Sequence, residues 1–240
     1  MQCNGGENMI QDIEYNGIKG SSLRIYAKEL LSIPAAQTRW EKINIPGKDG
    51  SLFKTDGCHE PTEIKVPLNY IGRMEVWGEY WRAAKKWLSA RNTKLRLSDD
   101  NEFFYRISHV VLDQMERKSA RTGNFVATFV TVDGMQYLVD GIQEHDLRDV
   151  LWNPYELCHP VYKIMGDGVC TLTVNENKIT ANVGQNLIID TERMISYRED
   201  GILQNTAITG DYEGLFIKPG KNSIDFSGGE LKIIPNWRCL

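Results

Sequence analysis

From Cys170 to Pro235 the chain is punctuated by turns. CTLTV (Cys170–Val174) and KITANV (Lys178–Val183) flank Asn175-Glu176-Asn177, which reads as a hairpin turn. NLIID, MISYR, GLFIK, SIDF and ELKIIP follow, separated by Asp200-Gly201, Pro219-Gly220 and Gly228-Gly229. Roughly seven short strands with turn chemistry every eight to twelve residues predict a β-sandwich.

The first half carries the same two-residue period. Leu23, Ile25 and Ala27 alternate with Arg24 and Tyr26, and Ile64, Val66 and Leu68 alternate with Glu63 and Lys65. NFVATFVTV (Asn124–Val132) is rich in β-branched and aromatic residues and predicts a long strand. IPGKDG (Ile45–Gly50) is a turn. One segment departs from this period. In VWGEYWRAAKKWLSARN, residues Trp77, Tyr80, Trp81, Ala84, Trp87 and Leu88 recur at spacings of three and four. Glu79 sits near the start and Lys85, Lys86 and Arg91 toward the end, as the helix dipole favours. This predicts an amphipathic helix laid over the strands, with Trp77 a candidate for facing a second subunit.

The stretch Asp140–Pro160, with Asn153-Pro154 and His159-Pro160, interrupts the strand rhythm and places a domain boundary there, giving domains 1–139 and 140–240. A short helix through Asp146 to Trp152 is one reading of it. Charge changes at the same point. Up to Val139 there are 19 basic and 17 acidic residues, and from Asp140 onward 9 and 15. The whole chain, at −4, lacks the basic excess of a nucleic-acid binder.

No stretch approaches the ~20 apolar residues of a membrane span. Met1–Tyr15 carries Glu7, Asp12 and Glu14 and has no apolar block, so no secretory leader is expected. The five cysteines, at 3, 58, 158, 170 and 239, show no CxxC spacing and read as free thiols.

Enzyme motifs are missing: no GxSxG, Walker loop, GxGxxG after a strand, or HExxH. Cys158-His159 does not read as a nucleophile with its base, because adjacent residues of an extended chain point apart. Cys158, His159, Cys170 and Cys239 lack the close ligand pairs of a zinc site. Asp99-Asp100 with Glu102 reads as a solvated turn, and Arg117, Lys118 and Arg121 as a basic loop. The expectation is therefore a non-enzyme with no cofactor or metal. Trp237, Tyr197 and Tyr212 are candidate sugar platforms on the second sandwich.

Several stretches, in order, carry a likeness. IEYNGIKGSSLRI (Ile13–Ile25) is followed by INIPGKDGSLF (Ile43–Phe53), the helix ending in KKWLSA, the strand pair LRLSDDNEFFYRI, and the closing GLFIKPGKNSIDFSGGELKIIPNWRCL. Together they resemble the distal tail proteins of long-tailed phages of Gram-positive bacteria. That family shows an IPGRDG turn, where Lys48 here keeps the charge of the arginine, a WLS helix, and a closing LxPGxN…PxWR pattern.

The resemblance implies a mainly β fold: an N-terminal β-sandwich with one helix that forms a ring of six, and a C-terminal galectin-like β-sandwich. It implies a structural hub at the virion tail tip, assembled in the host bacterial cytoplasm. The partners would be the tail-tube protein, the tape measure protein and a tail-associated protein or lysin. Receptor-binding proteins would attach outside, and DNA would pass through the lumen as cargo only. The C-terminal part is too short for the carbohydrate-binding insert that some members carry. A closed ring needs two different complementary faces on each copy. The candidate interface residues are Lys48, Asp49, Trp77, Arg117 and Arg121. The competing reading is a carbohydrate-binding adhesion protein, which should show a concave aromatic face with convergent polar groups.

Overall fold

The computed structural model describes residues 11–72, 77–119, 121–148 and 150–240. Cys3 and residues 1–10 of the stretch read for a leader lie outside the described residues, and Ile13–Tyr15 at its end forms a strand. The chain is mainly β, with a single α-helix among the described residues. It divides into two compact units, one reaching to Gln136 and the other spanning Tyr137–Cys239.

The first unit contains β1 (Ile13–Tyr15), β2 (Ile18–Lys19), β3 (Ile25–Ala27), β4 (Gln37–Thr38), β5 (Glu41–Ile43), β6 (Leu52–Lys54), β7 (His59–Glu60) and β8 (Glu63–Ile71). Then come α1 (Trp77–Leu88), β9 (Thr93–Leu97), β10 (Asp100–Leu112), β11 (Glu116–Arg117) and β12 (Thr122–Leu138). The main sheet runs β2-β1-β9-β10-β12-β8-β3, with β11 added on β12. The antiparallel register of β8 and β12 sets Leu68 opposite Phe125, Val66 opposite Ala127 and Ile64 opposite Phe129. All six are buried. The period-2 pattern thus delivers one continuous apolar face.

The helix covers that face. Ala84, Trp87 and Leu88 are buried, and Trp77, Tyr80 and Trp81 pack partly against the same core. Trp87 Nε1 donates to the Tyr15 carbonyl at 2.9 Å, and Tyr15 Oη donates to the Ala90 carbonyl at 2.6 Å, so both ends of this aromatic pair are satisfied. Burial pushes the Tyr15 phenol up to about 12. One expectation shifts: Leu23 belongs to a 3-10 turn (Gly20–Leu23), Arg24 takes a left-handed φ of 58°, and the strand begins only at Ile25.

The second unit contains β13 (His145–Asp146), β14 (Val150–Asn153), β15 (Val161–Val174), β16 (Asn177–Asp190), β17 (Ile195–Tyr197), β18 (Ile208–Thr209), β19 (Gly220–Ile234) and β20 (Arg238–Cys239). Its sheet order is β13-β19-β15-β16-β17, with β14 also on β19 and β18 also on β16. Several expected short strands are halves of long ones. KITANV and NLIID are both β16, and SIDF and ELKIIP are both β19. Gly228-Gly229 is not a turn: it is the point where the β15–β19 register slips between Gly166 and Thr171. Such a bulge bends a strand without ending it. GLFIK forms no strand beyond a bridge from Ile217 to Cys158.

Each long strand is interrupted at the same level. In β15, Tyr162 and Ile164 are buried, Met165 to Val169 are not, and Cys170, Leu172 and Val174 are buried again. Gly184-Gln185 in β16 and Ser227–Glu230 in β19 are exposed beside this gap. Both halves of each strand feed one core.

The helix read through Asp146 to Trp152 is overturned. Its described residues form β13 and β14, both hydrogen-bonded to β19. A seven-residue helix is marginal in water, and the open edge of β19 offers the backbone better partners.

Candidate assembly surface

Between β3 and β8 the first unit sends out residues 28–63, none of which is buried. Two small hairpins shape this arm. β4 pairs with β7, and β5 pairs with β6 through Glu41↔Lys54, Lys42↔Phe53 and Ile43↔Leu52. A lone two-stranded hairpin is marginal in water. The arm as a whole leaves six large apolar side chains exposed: Leu30, Ile33, Trp40, Ile45, Leu52 and Phe53. Leu30 is 79% exposed and Trp40 59%.

Local hydrogen bonds give the arm its shape. Arg39 Nε sits 3.2 Å from Glu60 Oε1, and the Cys58 amide donates to Asp56 Oδ1 at 2.9 Å. That amide holds the Asp56 carboxyl below its usual range. Exposed pairs of this kind contribute little stability.

The root of the arm, by contrast, is pinned. The Thr62 amide donates to Thr131 Oγ1 at 2.7 Å, the Thr131 amide returns to the Thr62 carbonyl at 2.9 Å, and Gly134 N also donates to Thr131 Oγ1 at 3.0 Å. Gly134 has φ 69°, and a Cβ there would stand 2.4 Å from Thr62 Oγ1. The close approach requires glycine.

Lys48 and Asp49 occupy the exposed turn joining β5 to β6, closed by Lys48 N donating to the Ile45 carbonyl at 3.2 Å. Trp77, Arg117 and Arg121 belong to the body of the unit. The Arg117 guanidinium lies 4.4 Å over the Trp77 ring, so two candidates read from distant segments meet. Arg121 is exposed four residues after Arg117, its amide donating to Ser119 Oγ at 3.1 Å and its carbonyl accepting from Gly72 N at 2.8 Å. The five candidates are therefore not gathered in one place: Lys48 and Asp49 share the arm's turn, Arg117 stacks on Trp77, and Arg121 follows β11 in the loop before β12.

The groups weighed for chemistry are placed as follows. Cys158 is buried, its thiol pushed up to about 11 by burial, with Sγ donating to the Glu156 carbonyl at 3.2 Å. The ring of His159 packs on Phe216 at 4.5 Å. Cys170 Sγ donates to the Gly228 carbonyl at 3.1 Å, inside the bulge. Among the described residues no three His, Cys, Asp or Glu side chains converge as a metal set. Asp99 Oδ2 accepts from Gln11 Nε2 at 2.5 Å. Burial, then Asp99 and Glu102, raise the Asp100 carboxyl. Of the three platform aromatics, Trp237 is only 9% exposed, and Tyr212 packs partly into the second core. The reading from sequence passed over Trp152, which is 66% exposed on β14. Its signal was faint because it stood inside the segment taken for a helix.

No protein-family model matches this chain, and no curated protein matches it. Among solved structures it matches SPP1 Dit (gp 19.1), described as a paradigm of the hub adsorption apparatus in phages that infect Gram-positive bacteria. The TM-score is 0.72 at 13% identity, over 93% of this chain and 97% of that one. The fold is similar to that of SPP1 Dit. At this identity the likeness is one of fold. No helix among the described residues is long and apolar enough to cross a membrane.

Proposed function

We propose that the chain is a structural, non-enzymatic hub of a phage tail, six copies of which close into a ring at the tail tip. The observation that carries this is the arm: 36 residues, 28–63, with no buried residue and six exposed large apolar side chains, on a fold similar to that of a hub protein. A segment of that composition gains its burial by covering a second surface. In a ring, the arm of one copy lies on the body of the next, and the repeated heterologous contact closes.

Lys48 and Asp49 then meet the neighbouring copy, while Trp77, Arg117 and Arg121 present the receiving aromatic and guanidinium groups, which are favoured at interface hot spots. The tail-tube protein and the tape measure protein would meet one side of the ring, and the tail-associated protein the other. Receptor-binding proteins would attach to the C-terminal sandwich, which in this reading is galectin-like, and DNA would cross the lumen without sequence readout.

The test is light scattering after gel filtration. One copy is 27.4 kDa. A particle of six or twelve copies supports the reading. A monomer at high concentration that also stays a monomer when mixed with the tail-tube protein overturns it.

A further inference from the structure

β13 and β14 pair with the same edge of β19, β13 at Lys232–Ile233 and β14 at Gly220–Ser223. Beside the span between them lies a cleft of about 360 Å3 within the second unit. Its apolar lining includes Ile224, Ile233 and Trp237, and the 66%-exposed Trp152 also borders it. Asp140, His145, Asp146 and Arg148 supply its polar lining. His145 Nε2 lies 3.0 Å from the Asp140 carbonyl oxygen and 3.8 Å from its carboxylate. The side chains of Asp146 and Arg148 and the Trp152 indole N–H are exposed and have no protein hydrogen-bond or ion-pair partner among the described residues.

We propose that this cleft binds a single neutral pyranose ring of a surface saccharide. An exposed indole offers a flat apolar face for the C–H side of a sugar ring. Carboxylates accept from sugar hydroxyls and a guanidinium donates to them, and both kinds of group are here beside the indole. A concave site with an aromatic wall and a few polar groups is what a small ligand requires. Two carboxylates against one guanidinium disfavour a phosphate-bearing polymer. Val150, Leu151 and Pro235 complete the apolar wall beside the indole, and the charged groups lie along one margin of it. The proposal goes beyond the hub reading and needs only one copy of the chain.

The test uses the full chain with 15N-labelled indoles. Methyl glycosides of glucose, galactose, mannose and N-acetylglucosamine are titrated in, with glycerol phosphate as the anionic probe. The Trp152 signal is assigned by its loss in Trp152→Ala. At least one neutral glycoside should shift it saturably, with millimolar affinity. Followed on the indole signal of Trp237, which lines the same cleft, Trp152→Ala should weaken binding by about tenfold or more, and Asp146→Asn by a smaller factor. No shift with any neutral glycoside overturns the proposal, as does undiminished binding in Trp152→Ala or tighter binding of glycerol phosphate. Should Trp152→Ala fail to fold, Trp152→Phe and Asp146→Asn decide by the Trp237 signal. Light scattering on the same samples separates the two readings, since loss of sugar binding leaves assembly intact and loss of assembly leaves sugar binding intact.

Discussion

Residues 28–63 and residues 161–190 are similar lengths of chain with opposite fates. Both contain alternating apolar and polar residues around turn signals. In the second stretch, β15 and β16 pair from Val161↔Asp190 to Val174↔Asn177, β19 lines the other side of β15, and the inward residues are buried. In the first, β5 and β6 find only each other, and nothing is buried. Alternation supplies a face that can be covered. Whether it is covered depends on what lies across from it; among the described residues only Leu31 of the arm's large apolar side chains packs against the first core.

The sharpest way to break this comparison is to make the same substitution in both regions. Leu172→Ala, in β15, should destabilise by about 2–5 kcal/mol, because it opens a cavity in a filled core. Leu52→Ala, in the arm, should stay within about 0.5 kcal/mol in the free chain, because that side chain is already in water. Denaturant midpoints measure both. Equal effects would mean that the arm has a core of its own.

The junction comes next. Gly134→Ala puts a methyl group against Thr62 Oγ1 and forces a side chain into φ 69°, for about 1–3 kcal/mol and a displaced arm root. Melting should report the loss. Assembly, followed by light scattering, should fall further than in Leu52→Ala.

A third test uses pH. Burial raises Cys158 to about 11 and Tyr15 to about 12, from ordinary values of 9.0 and 10.0. The neutral forms are favoured in the fold, so the unfolded chain loses these protons first. Stability therefore falls as pH rises, between about 9 and 11 for the second unit and about 10 and 12 for the first. The alkaline transition of the second unit should lead, and Cys158→Ala should shrink its early limb, leaving the part due to Cys170, which burial also raises, as seen by circular dichroism. A small effect closes the series: Arg117→Ala, which removes the stack on Trp77, should cost about 0.5–1 kcal/mol in the free chain, read from denaturant midpoints.

Much of this was legible in the residues. The alternation at Ile64, Val66 and Leu68 and the stripe from Trp77 to Leu88 fall where the strands and helix stand, because both patterns answer to burial on one face. What escaped reading depends on distant segments. Gly228-Gly229 reads as a turn when alone, and only its position across from Gly166 and Cys170 makes it a bulge. Asp146 to Trp152 reads as helical until the edge of β19 is supplied. The stack of Arg117 on Trp77 joins residues forty positions apart. The exposure of Trp40 and Phe53 has no local signature, since a strand that is covered and one that is not have the same period.

The long strands of the second unit carry one more consequence. β15, β16 and β19 each contribute to the core on both sides of the glycine-rich interruption, so no sub-block can open while the rest stays folded. Amide exchange across Val161–Val174 and Asn177–Asp190 should then collapse onto a single opening free energy, unlike the graded fraying of a unit assembled from short separate hairpins. A module that opens only as a whole holds its shape until it fails, and the bulge that bends its strands leaves that continuity uncut.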